Sequence, residues 1–255
     1  MVAVIHVFYP ALWPEIAEGL RRLPMPVDVV VTVAAPRGDD VRRMIRADYP
    51  HAIVLPVPNR GRDVLPFVRV VPSLRARGWT TVLKLHTKRS VHIDDGSAWF
   101  TRLLDELTGP SGAVNQAVAS LEGGASELVG PGSFWYPLDV AWSETAGALA
   151  VVAGKVGLDL EELADRRWEL GFFAGTMFWA RLEALDRVQS LGTNLFAVER
   201  GQRDGTAAHA LERVFALLPQ MRGRPVSALS EGRLVDVADL PFTRPDWYRS
   251  DRPAT

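Results

Sequence analysis

One stretch near residue 200 holds a denser set of reactive side chains than the rest of the chain. Two acids, Glu199 and Asp204, precede an alanine-rich segment that the residue pattern predicts to be a helix over 206–217. Spacings of three and four residues place three polar side chains on one face of this helix: Thr206, His209 and Arg213. A carboxylate in such a setting can take a proton from an attacking hydroxyl group, which is general-base chemistry. The structural alternative has equal weight, because Asp204 or Thr206 would also serve as an ordinary helix cap.

A first basic loop follows an apolar run at 52–57 and opens a second predicted helix. It contains Arg60, Gly61 and Arg62. The backbone N–H groups and the dipole of a helix start favour an anion, and the arginines add charge-assisted donors. Gly61 permits a tight turn. An ordinary strand-to-helix loop with solvated arginines is the alternative.

A second basic loop follows a strand predicted over 80–85. Lys88 and Arg89 could neutralise a diphosphate there, with His86 donating or accepting a hydrogen bond nearby. The carboxyl ends of the strands are where ligands bind in open α/β sheets. Taken alone, these residues favour the alternative of a basic surface loop with a packed histidine.

The segment 172–181 is unusually aromatic and has a glycine at its centre. Gly175 would let a ligand approach the backbone closely, and aromatic faces such as that of Trp179 suit the apolar C–H surfaces of sugar rings. Most of these aromatic residues fit a core strand at least as well. The substrate-binding candidates in this segment are Gly175, Thr176, Trp179 and Arg181.

The elements that must position these residues alternate between strand and helix. Apolar runs predict strands over 2–8, 27–33, 52–57 and 80–85, and the intervening periodicity predicts helices over 13–23, 39–46 and 64–77, the last interrupted by Pro66 and Pro72. Further helices are predicted over 99–107, 113–121, 145–155, 160–163 and 182–190, with a strand stub at 128–129. This order indicates an α/β fold, with a mostly parallel sheet and helices on both faces.

Composition excludes several classes of protein. A net charge of -1 over 255 residues offers no basic field for nucleic acid. The absence of cysteine removes disulfides and thiolate metal sites, and it fits a reducing, cytoplasmic compartment. The apolar start of the chain is too short for a membrane span. No metal site is assigned.

Four ordered signatures, together with the opening Ile5-His6-Val7-Phe8-Tyr9 and Thr32, resemble the rhamnan synthesis protein F family over roughly positions 1 to 218. The signatures are Asn59-x-Gly61-x-Asp63-x-x-Pro66-Phe67, Lys84-Leu85-His86-Thr87-Lys88, Gly175-Thr176-Met177-Phe178-Trp179-x-Arg181 and Glu199-x-x-x-x-Asp204-Gly205-Thr206-x-x-His209-x-x-Glu212-Arg213. That family is similar to glycosyltransferases that build bacterial surface rhamnose polysaccharides, commonly from dTDP-L-rhamnose and with inversion. The resemblance implies a GT-A-like, nucleotide-sugar-binding domain over 1–218. Residues 219–255 would form an extension that wraps this domain or is partly disordered.

The resemblance also assigns roles to single residues. His86-Thr87-Lys88 stands where GT-A enzymes usually carry Asp-x-Asp for a divalent metal, so cations must offset the leaving diphosphate unless Mg²⁺ or Mn²⁺ binds elsewhere. The implied donor-binding set is Asn59, Arg60, Gly61, Arg62, Asp63, His86, Thr87, Lys88 and Arg213. Asp204 is the first choice for the base and Glu199 the second, with His209 beside them. The acceptor would be a glycan or a lipid-linked glycoside, the latter implying peripheral contact with the inner face of a membrane.

Two other interpretations stay open. A domain of this kind could bind a glycan or nucleotide sugar without transferring it, as a scaffold in polysaccharide assembly, and the missing Asp-x-Asp favours this. A hydrolase or phosphatase acting on a sugar phosphate is the third interpretation. The sequence has no Gly-x-Ser-x-Gly elbow to support it.

Overall fold

In the part of the chain that the structure describes, the main sheet has eight strands and a separate antiparallel pair forms a second sheet. The computed structural model describes residues 1–34, 38–88, 96–109, 111–198, 205–245 and 248. The strands in chain order are β1 (Val2–Val7), β2 (Asp28–Ala34), β3 (Ile53–Val57), β4 (Thr81–His86), β5 (Leu128–Pro131), β6 (Trp135–Pro137), β7 (Gly171–Phe173), β8 (Phe178–Arg181), β9 (Val226–Ser230) and β10 (Arg233–Asp236). The helices are α1 (Trp13–Arg21), α2 (Gly38–Asp48), α3 (Val64–Ala76), α4 (Gly96–Thr108), α5 (Ser111–Glu122), α6 (Trp142–Val156), α7 (Leu160–Asp165) and α8 (Ala207–Gln220).

The strand order of the main sheet is β10-β9-β5-β8-β4-β1-β2-β3. Strands β1 to β4 are parallel to one another, and β9 is parallel to β5. Strand β8 runs antiparallel between β4 and β5, and β10 is antiparallel to β9. Strands β6 and β7 form the separate antiparallel pair. The predicted α/β class with a mostly parallel sheet is confirmed.

Alternation along the strands divides the interior into two cores. Val2 and Val4 of β1 pack in a core with α3, α6 and α8, whereas Ala3 and Ile5 pack in a core with α1, α2, α4 and α5. Side chains of a strand alternate between faces, so an almost uniformly apolar strand needs cover on both sides. The predicted helices on both faces are therefore confirmed.

Two predicted helices differ from the structure. Helix α3 continues from Val64 to Ala76 without interruption. Pro66 lies in the first turn, where a backbone N–H has no partner within the helix, and Pro72 removes one bond from a helix that is otherwise buried on several sides. The helix predicted over 182–190 is a 3₁₀ turn, Leu182–Leu185, followed by turns.

The segment after residue 218 contributes to the sheet. Helix α8 ends at Gln220, and β9 and β10 then extend the sheet beyond β5. Further on, the Phe242 ring stacks on Trp135 at 5.7 Å between centroids, and the Thr243 N–H donates to the Trp135 carbonyl at 2.8 Å. The division at 218 stays a prediction.

None of the helices in the described part of the chain is both long and apolar enough to cross a membrane.

Gly61 begins the turn into α3 in a backbone conformation that other residues rarely adopt, with φ +64°. A Cβ atom there would lie 2.5 Å from the Leu65 Cβ and 2.7 Å from the Phe196 ring. Gly61→Ala should therefore lower the free energy of unfolding by about 3 kcal/mol, through strain and overlap together. Gly78→Ala is the matched control, because Gly78 also has positive φ (+86°) but has open space around it. It should cost about 1 kcal/mol. Equal losses in urea unfolding would contradict the steric argument.

Candidate functional site

Three polar segments meet at one edge of the sheet. The carboxyl ends of β1 and β4 lie side by side, with His6 opposite His86. Strand β8 runs the other way, and its first residue, Phe178, pairs with Lys84. The turn that precedes β8 therefore lies at the same edge as the loops that follow β3 and β4. These loops contain the residues that the sequence singled out.

Asp63 is the hub of this edge. Its Oδ2 atom accepts hydrogen bonds from the Lys84 ammonium group and, at 3.0 Å, from the Thr176 hydroxyl. His86 Nδ1 lies 3.4 Å from the same oxygen. The Asp63 side chain thus joins the loop before α3, the middle of β4 and the turn before β8.

Lys84 is an ammonium group placed inside the fold, with 1% of its surface exposed. Besides Asp63, it donates to the Thr176 carbonyl at 2.6 Å and lies 5.4 Å from the Phe67 ring centroid. Burial lowers the pKa of Lys84, and the Asp63 carboxylate opposes that effect. Burial alone would raise the pKa of Asp63, but the charges of His86 and Lys84 lower it below its usual range. At neutral pH the positive charge beside the Asp63 carboxylate is that of Lys84, and Asp63 and Lys84 form a buried ion pair.

Two buried histidines lie beside this pair. Burial lowers the pKa of His6 to about 4 and that of His86 to about 3, despite the opposing effect of Asp63. Both rings are therefore neutral at pH 7. His6 Nδ1 lies 2.9 Å from the Thr32 hydroxyl, so that each histidine has a polar neighbour without carrying charge.

Thr87 fixes the backbone between β1 and β4. Its hydroxyl oxygen accepts hydrogen bonds from the N–H groups of Phe8 at 3.0 Å and Tyr9 at 2.9 Å. Its own N–H donates to the His6 carbonyl at 3.0 Å. Thr87 thus holds the loop after β1 against the end of β4.

Lys88 differs from Lys84 because no carboxylate lies within 4.0 Å of its ammonium group in the described part of the chain. The ammonium lies 3.8 Å from the ring centroid of Trp99, a cation–π contact. Burial lowers the pKa of Lys88, while the more distant charges of Glu212 and Asp63 raise it. A partly buried cation in this setting is suited to binding an anion.

The turn before β8 is held from two sides. Gly175 and Thr176 both have positive φ, at 102° and 50°. The Gly175 N–H donates to Glu212 Oε1 at 2.6 Å, while Thr176 is bound to the Asp63–Lys84 pair. A Cβ atom on Gly175 would lie 2.7 Å from the Trp99 ring, so the turn also packs against the ring that carries Lys88.

The start of α8 is organised by its own residues. Thr206 is the N-cap, and its N–H donates to His209 Nδ1 at 3.3 Å in a capping-box arrangement. Arg213 is buried, donates to the carbonyls of His209 and Val140 at 2.9 and 3.2 Å, and lies 4.7 Å from the Phe172 ring. These contacts favour a structural role for Arg213, and its donor-binding role stays a prediction.

The loop before α3 also has structural bonds. The Arg60 guanidinium donates to the Phe196 carbonyl, and the N–H groups of Val64 and Leu65 both donate to the Gly61 carbonyl, at 3.1 and 3.0 Å. These bonds use backbone donors that an anion would otherwise occupy.

Of the remaining candidates in this loop, Asn59 is exposed. Arg62 has φ 54°, and its charge acts on Lys88. Arg62 is thus the arginine of this loop that is electrostatically linked to the cluster.

Two candidates on β8 lie away from this cluster. Trp179 faces the opposite core and donates from its indole N–H to the Leu107 carbonyl at 3.0 Å. Arg181 pairs with Thr81 at the beginning of β4, and its guanidinium donates to the Leu121 carbonyl at 2.8 Å. The reversed direction of β8 carries Arg181 to the other edge of the sheet.

The two acids chosen as bases, Glu199 and Asp204, lie outside the described residues, as do Arg89 and the loop pair Asp94-Asp95. The next described residue after Asp204 is Gly205. A Cβ atom there would be 3.0 Å from the carbonyl oxygen of Glu144, near the start of α6. The described part of this loop therefore lies between the starts of α6 and α8.

The described residues contain no group of three or more His, Asp or Glu side chains placed to hold a metal ion. Two surface hollows of about 470 and 660 Å³ lie along β9, β10 and the segment that follows, away from Asp63. The central side chains of the cluster, those of Asp63, Lys84 and His86, are buried at the sheet edge.

Three residues of the site are absent from the set predicted from the sequence: Lys84, Trp99 and Glu212. Glu212 stands in the fourth signature, where the sequence assigns it no role and a solvated or ion-paired side chain is the structural alternative. The available signal for Glu212 is its position in the helix, about two turns after the predicted cap at Thr206. Its partner, Gly175, is 37 residues away, and the pairing depends on how α8 packs against the turn.

The buried histidines predict a loss of stability in mild acid. In the unfolded chain both titrate near the ordinary pKa of 6.5, so the unfolded state binds protons first as the pH falls. Stability should be full above about pH 6.5 and fall below it by up to about 1.4 kcal/mol per pH unit for each histidine. Urea unfolding between pH 7.5 and 5 measures the slope. His6→Gln should reduce it, whereas exposed His51→Gln should leave it unchanged, and a flat wild-type profile would refute the argument.

The Asp63–Lys84 pair predicts strong coupling between the two side chains. Asp63→Asn and Lys84→Met should each lower the free energy of unfolding by about 3–5 kcal/mol, since each leaves a buried group without its partner. The double variant should lose less than the sum of the two, as determined by denaturant unfolding. Arg43→Met breaks the exposed Arg43–Asp40 pair and should have no measurable effect. Additive losses would show that the two side chains are independent.

Comparison with known proteins identifies the chain's relatives. The protein WxcX of Xanthomonas campestris pv. campestris (strain ATCC 33913), described as uncharacterised, is 31% identical over 252 residues, which is 98% of this chain and 35% of the relative. WxcX of strain B100 is 32% identical over 255 residues with the same coverage. This chain thus spans about a third of the length of these curated relatives.

Among solved structures, S. aureus TarS 1-349 aligns with 92% of this chain and 59% of its own, at a TM-score of 0.45 and 13% identity. The family described as rhamnan synthesis protein F matches residues 1–223. Because this match covers most of the 255 residues, the chain belongs to the rhamnan synthesis protein F family.

Proposed function

We propose that this chain is a glycosyltransferase domain that takes a sugar from a nucleotide donor during bacterial polysaccharide synthesis. The proposed donor is dTDP-L-rhamnose, and the proposed stereochemical course is inversion. The catalytic unit would be residues 1–218, followed by the extension at 219–255. Family membership supports the reaction class, and the arrangement of charges at the sheet edge supports the role of this site.

The observation that carries the proposal is the contrast between the two lysines of β4 and its loop. Lys84 is neutralised by Asp63, whereas Lys88 lies on the Trp99 ring with no carboxylate within 4.0 Å among the described residues. Since a nucleotide-sugar donor carries its charge on a diphosphate, one cation held at a partly dry sheet edge is a suitable ligand. Arg62, whose charge also acts on Lys88, would be a second ligand.

The leaving diphosphate gains negative charge as the sugar departs. A fixed cation stabilises that charge in the transition state without any reorganisation of solvent. Lys88 can supply this stabilisation in the place where related enzymes hold a metal ion. His86, which is neutral, ends β4, and Thr87, whose hydroxyl accepts the Phe8 and Tyr9 N–H groups, follows it, so neither adds charge.

Inversion requires a base on the acceptor side of the sugar. Asp204 is the proposed base, Glu199 the second choice, and both precede the start of α8. His209, held by Thr206 at that helix start, would orient the acceptor or the base. The proposed acceptor is a glycan or a lipid-linked glycoside, reached at the inner face of the membrane.

The test separates donor binding from transfer. Calorimetry of the full chain should detect dTDP-L-rhamnose binding, with slow release of rhamnose in a hydrolysis assay. Lys88→Met should weaken binding about 10-fold or more, whereas Lys155→Met, which removes an exposed lysine of α6, should not. Asp204→Asn should retain binding and lose turnover by about 100-fold or more.

Each outcome distinguishes the interpretations. Binding without any sugar release in the wild type would favour the non-catalytic scaffold, a glycan- or nucleotide-sugar-binding domain. Unchanged turnover of Asp204→Asn would move the base to Glu199. Equal affinities of the wild type and Lys88→Met would remove Lys88 from the donor site.

A further inference from the structure

Among the described residues, one carboxylate oxygen of Glu212, Oε1, has a hydrogen-bond donor and the other, Oε2, has none. Oε1 accepts the Gly175 N–H at 2.6 Å. Oε2 has Arg213 at 4.0 Å as its nearest cation among the described residues, which is beyond hydrogen-bonding distance. The side chain is 19% exposed, so it reaches the surface of the sheet edge.

Arg213 is too far from the Glu212 carboxylate to donate a hydrogen bond to it. Its guanidinium is 3% exposed and donates to the carbonyls of His209 and Val140. It also packs over the Phe172 ring. Because these contacts hold Arg213 on the core side of α8, Oε2 of Glu212 retains acceptor capacity for another group.

The Oε2 oxygen lies in the same cluster as Lys88. Gly175, which Glu212 binds, packs against the Trp99 ring, and Lys88 lies on that ring. The charge of Glu212 acts on both Lys88 and Lys84. The Gly175–Thr176 turn therefore contacts the Glu212 carboxylate directly and the Lys88 ammonium group through the Trp99 ring.

These two groups suit the two parts of a nucleotide sugar. A carboxylate repels phosphate oxygens but accepts strong hydrogen bonds from hydroxyl groups. The sugar of such a donor is joined directly to the diphosphate, so a ligand that places its phosphates at Lys88 brings its sugar hydroxyls close to Lys88 as well.

We propose that Glu212 accepts a hydrogen bond from a hydroxyl group of the donor sugar whose diphosphate is held by Lys88. This assignment rests on the proposed function and adds to it a residue that distinguishes the sugar conjugate from the free nucleotide. Glu212 also positions the Gly175–Thr176 turn through Oε1. Both roles use the same side chain, one oxygen for each.

The experiment is calorimetry of the full chain with nucleoside diphosphates and their sugar conjugates. The pairs are dTDP with dTDP-L-rhamnose, UDP with UDP-glucose, and GDP with GDP-mannose. The measured quantity is the dissociation constant of the free nucleotide divided by that of its sugar conjugate. It is taken for the pair whose conjugate binds most tightly. Glu212→Gln keeps an oxygen for the Gly175 N–H, so the turn should persist. It should reduce the ratio about 10-fold, which is the size expected for a hydrogen bond to a charged acceptor. Loss of the carboxylate charge near Lys88 acts on the phosphates of both members and therefore cancels in the ratio.

Two further variants separate sugar recognition from support of the turn. Lys88→Met should weaken both members of the pair and preserve the ratio, and exposed Glu161→Gln should change neither. Glu212→Ala should reduce the ratio as Glu212→Gln does, and lower the melting temperature as well. If Glu212→Gln weakens both members equally, or neither, the assignment is overturned and Glu212 supports only the turn.

Wild-type behaviour separates this assignment from the proposed function. A wild type that binds the free nucleotides as tightly as the conjugates would overturn the sugar contact and leave nucleotide binding intact. A wild type that binds no member of any pair would overturn the proposed function, and the sugar contact would fall with it.

Discussion

Burial of the Lys84 ammonium group governs the arrangement of this sheet edge. An isolated charge in such a place costs several kcal/mol, and only a close carboxylate with well-placed hydrogen bonds offsets that cost. Asp63 and the Thr176 carbonyl provide them. Asp63 comes from the loop after β3 and Thr176 from the turn before β8, so the requirement of one lysine fixes two loops relative to β4. The positions of these two loops at the surface are therefore set by a charge that is buried in the core.

The same constraint explains why the loops can be irregular. Thr176 has φ 50°, a conformation that costs a residue with a side chain about 1–2 kcal/mol. Its hydroxyl and carbonyl groups are both bonded to the Asp63–Lys84 pair, and the preceding N–H is bonded to Glu212. These bonds over-determine the turn. The strain can be retained because breaking the turn would also leave the buried charges unsatisfied.

Much of the fold was predictable from local pattern, and much of the site was not. Continuous apolar runs such as 27–33 correspond to strands because both faces of a parallel sheet are covered. Pro72 misled the prediction of α3, since the surrounding core holds a helix together even where one backbone bond is lost. Nothing local in 182–190 distinguishes a 3₁₀ turn from a longer helix.

The residues of the site were recognised individually, but their pairing depends on strand direction. His86 and Thr176 come together because β4 and β8 are antiparallel, so the end of one meets the beginning of the other. The same reversal sends Arg181 to the far edge, and alternation along β8 places Trp179 in the opposite core. A single sequence has no signal for that direction. Lys84 was passed over for a related reason, because alternation alone does not show which polar residue of a strand finds a buried partner.

The charge state of this edge follows from the depth of its residues. His6 and His86 are kept neutral by burial, so their contribution to an anionic ligand does not change between pH 6 and 8. The charge of Lys84 is balanced by Asp63. Among the described residues, the positive charge that a diphosphate would meet at this edge is therefore that of Lys88 and Arg62, with the negative charge of Glu212 nearby. An edge built in this way separates a cationic region from an acceptor region across a single turn, and that separation gives a ligand with a charged end and a hydroxylated end one preferred orientation.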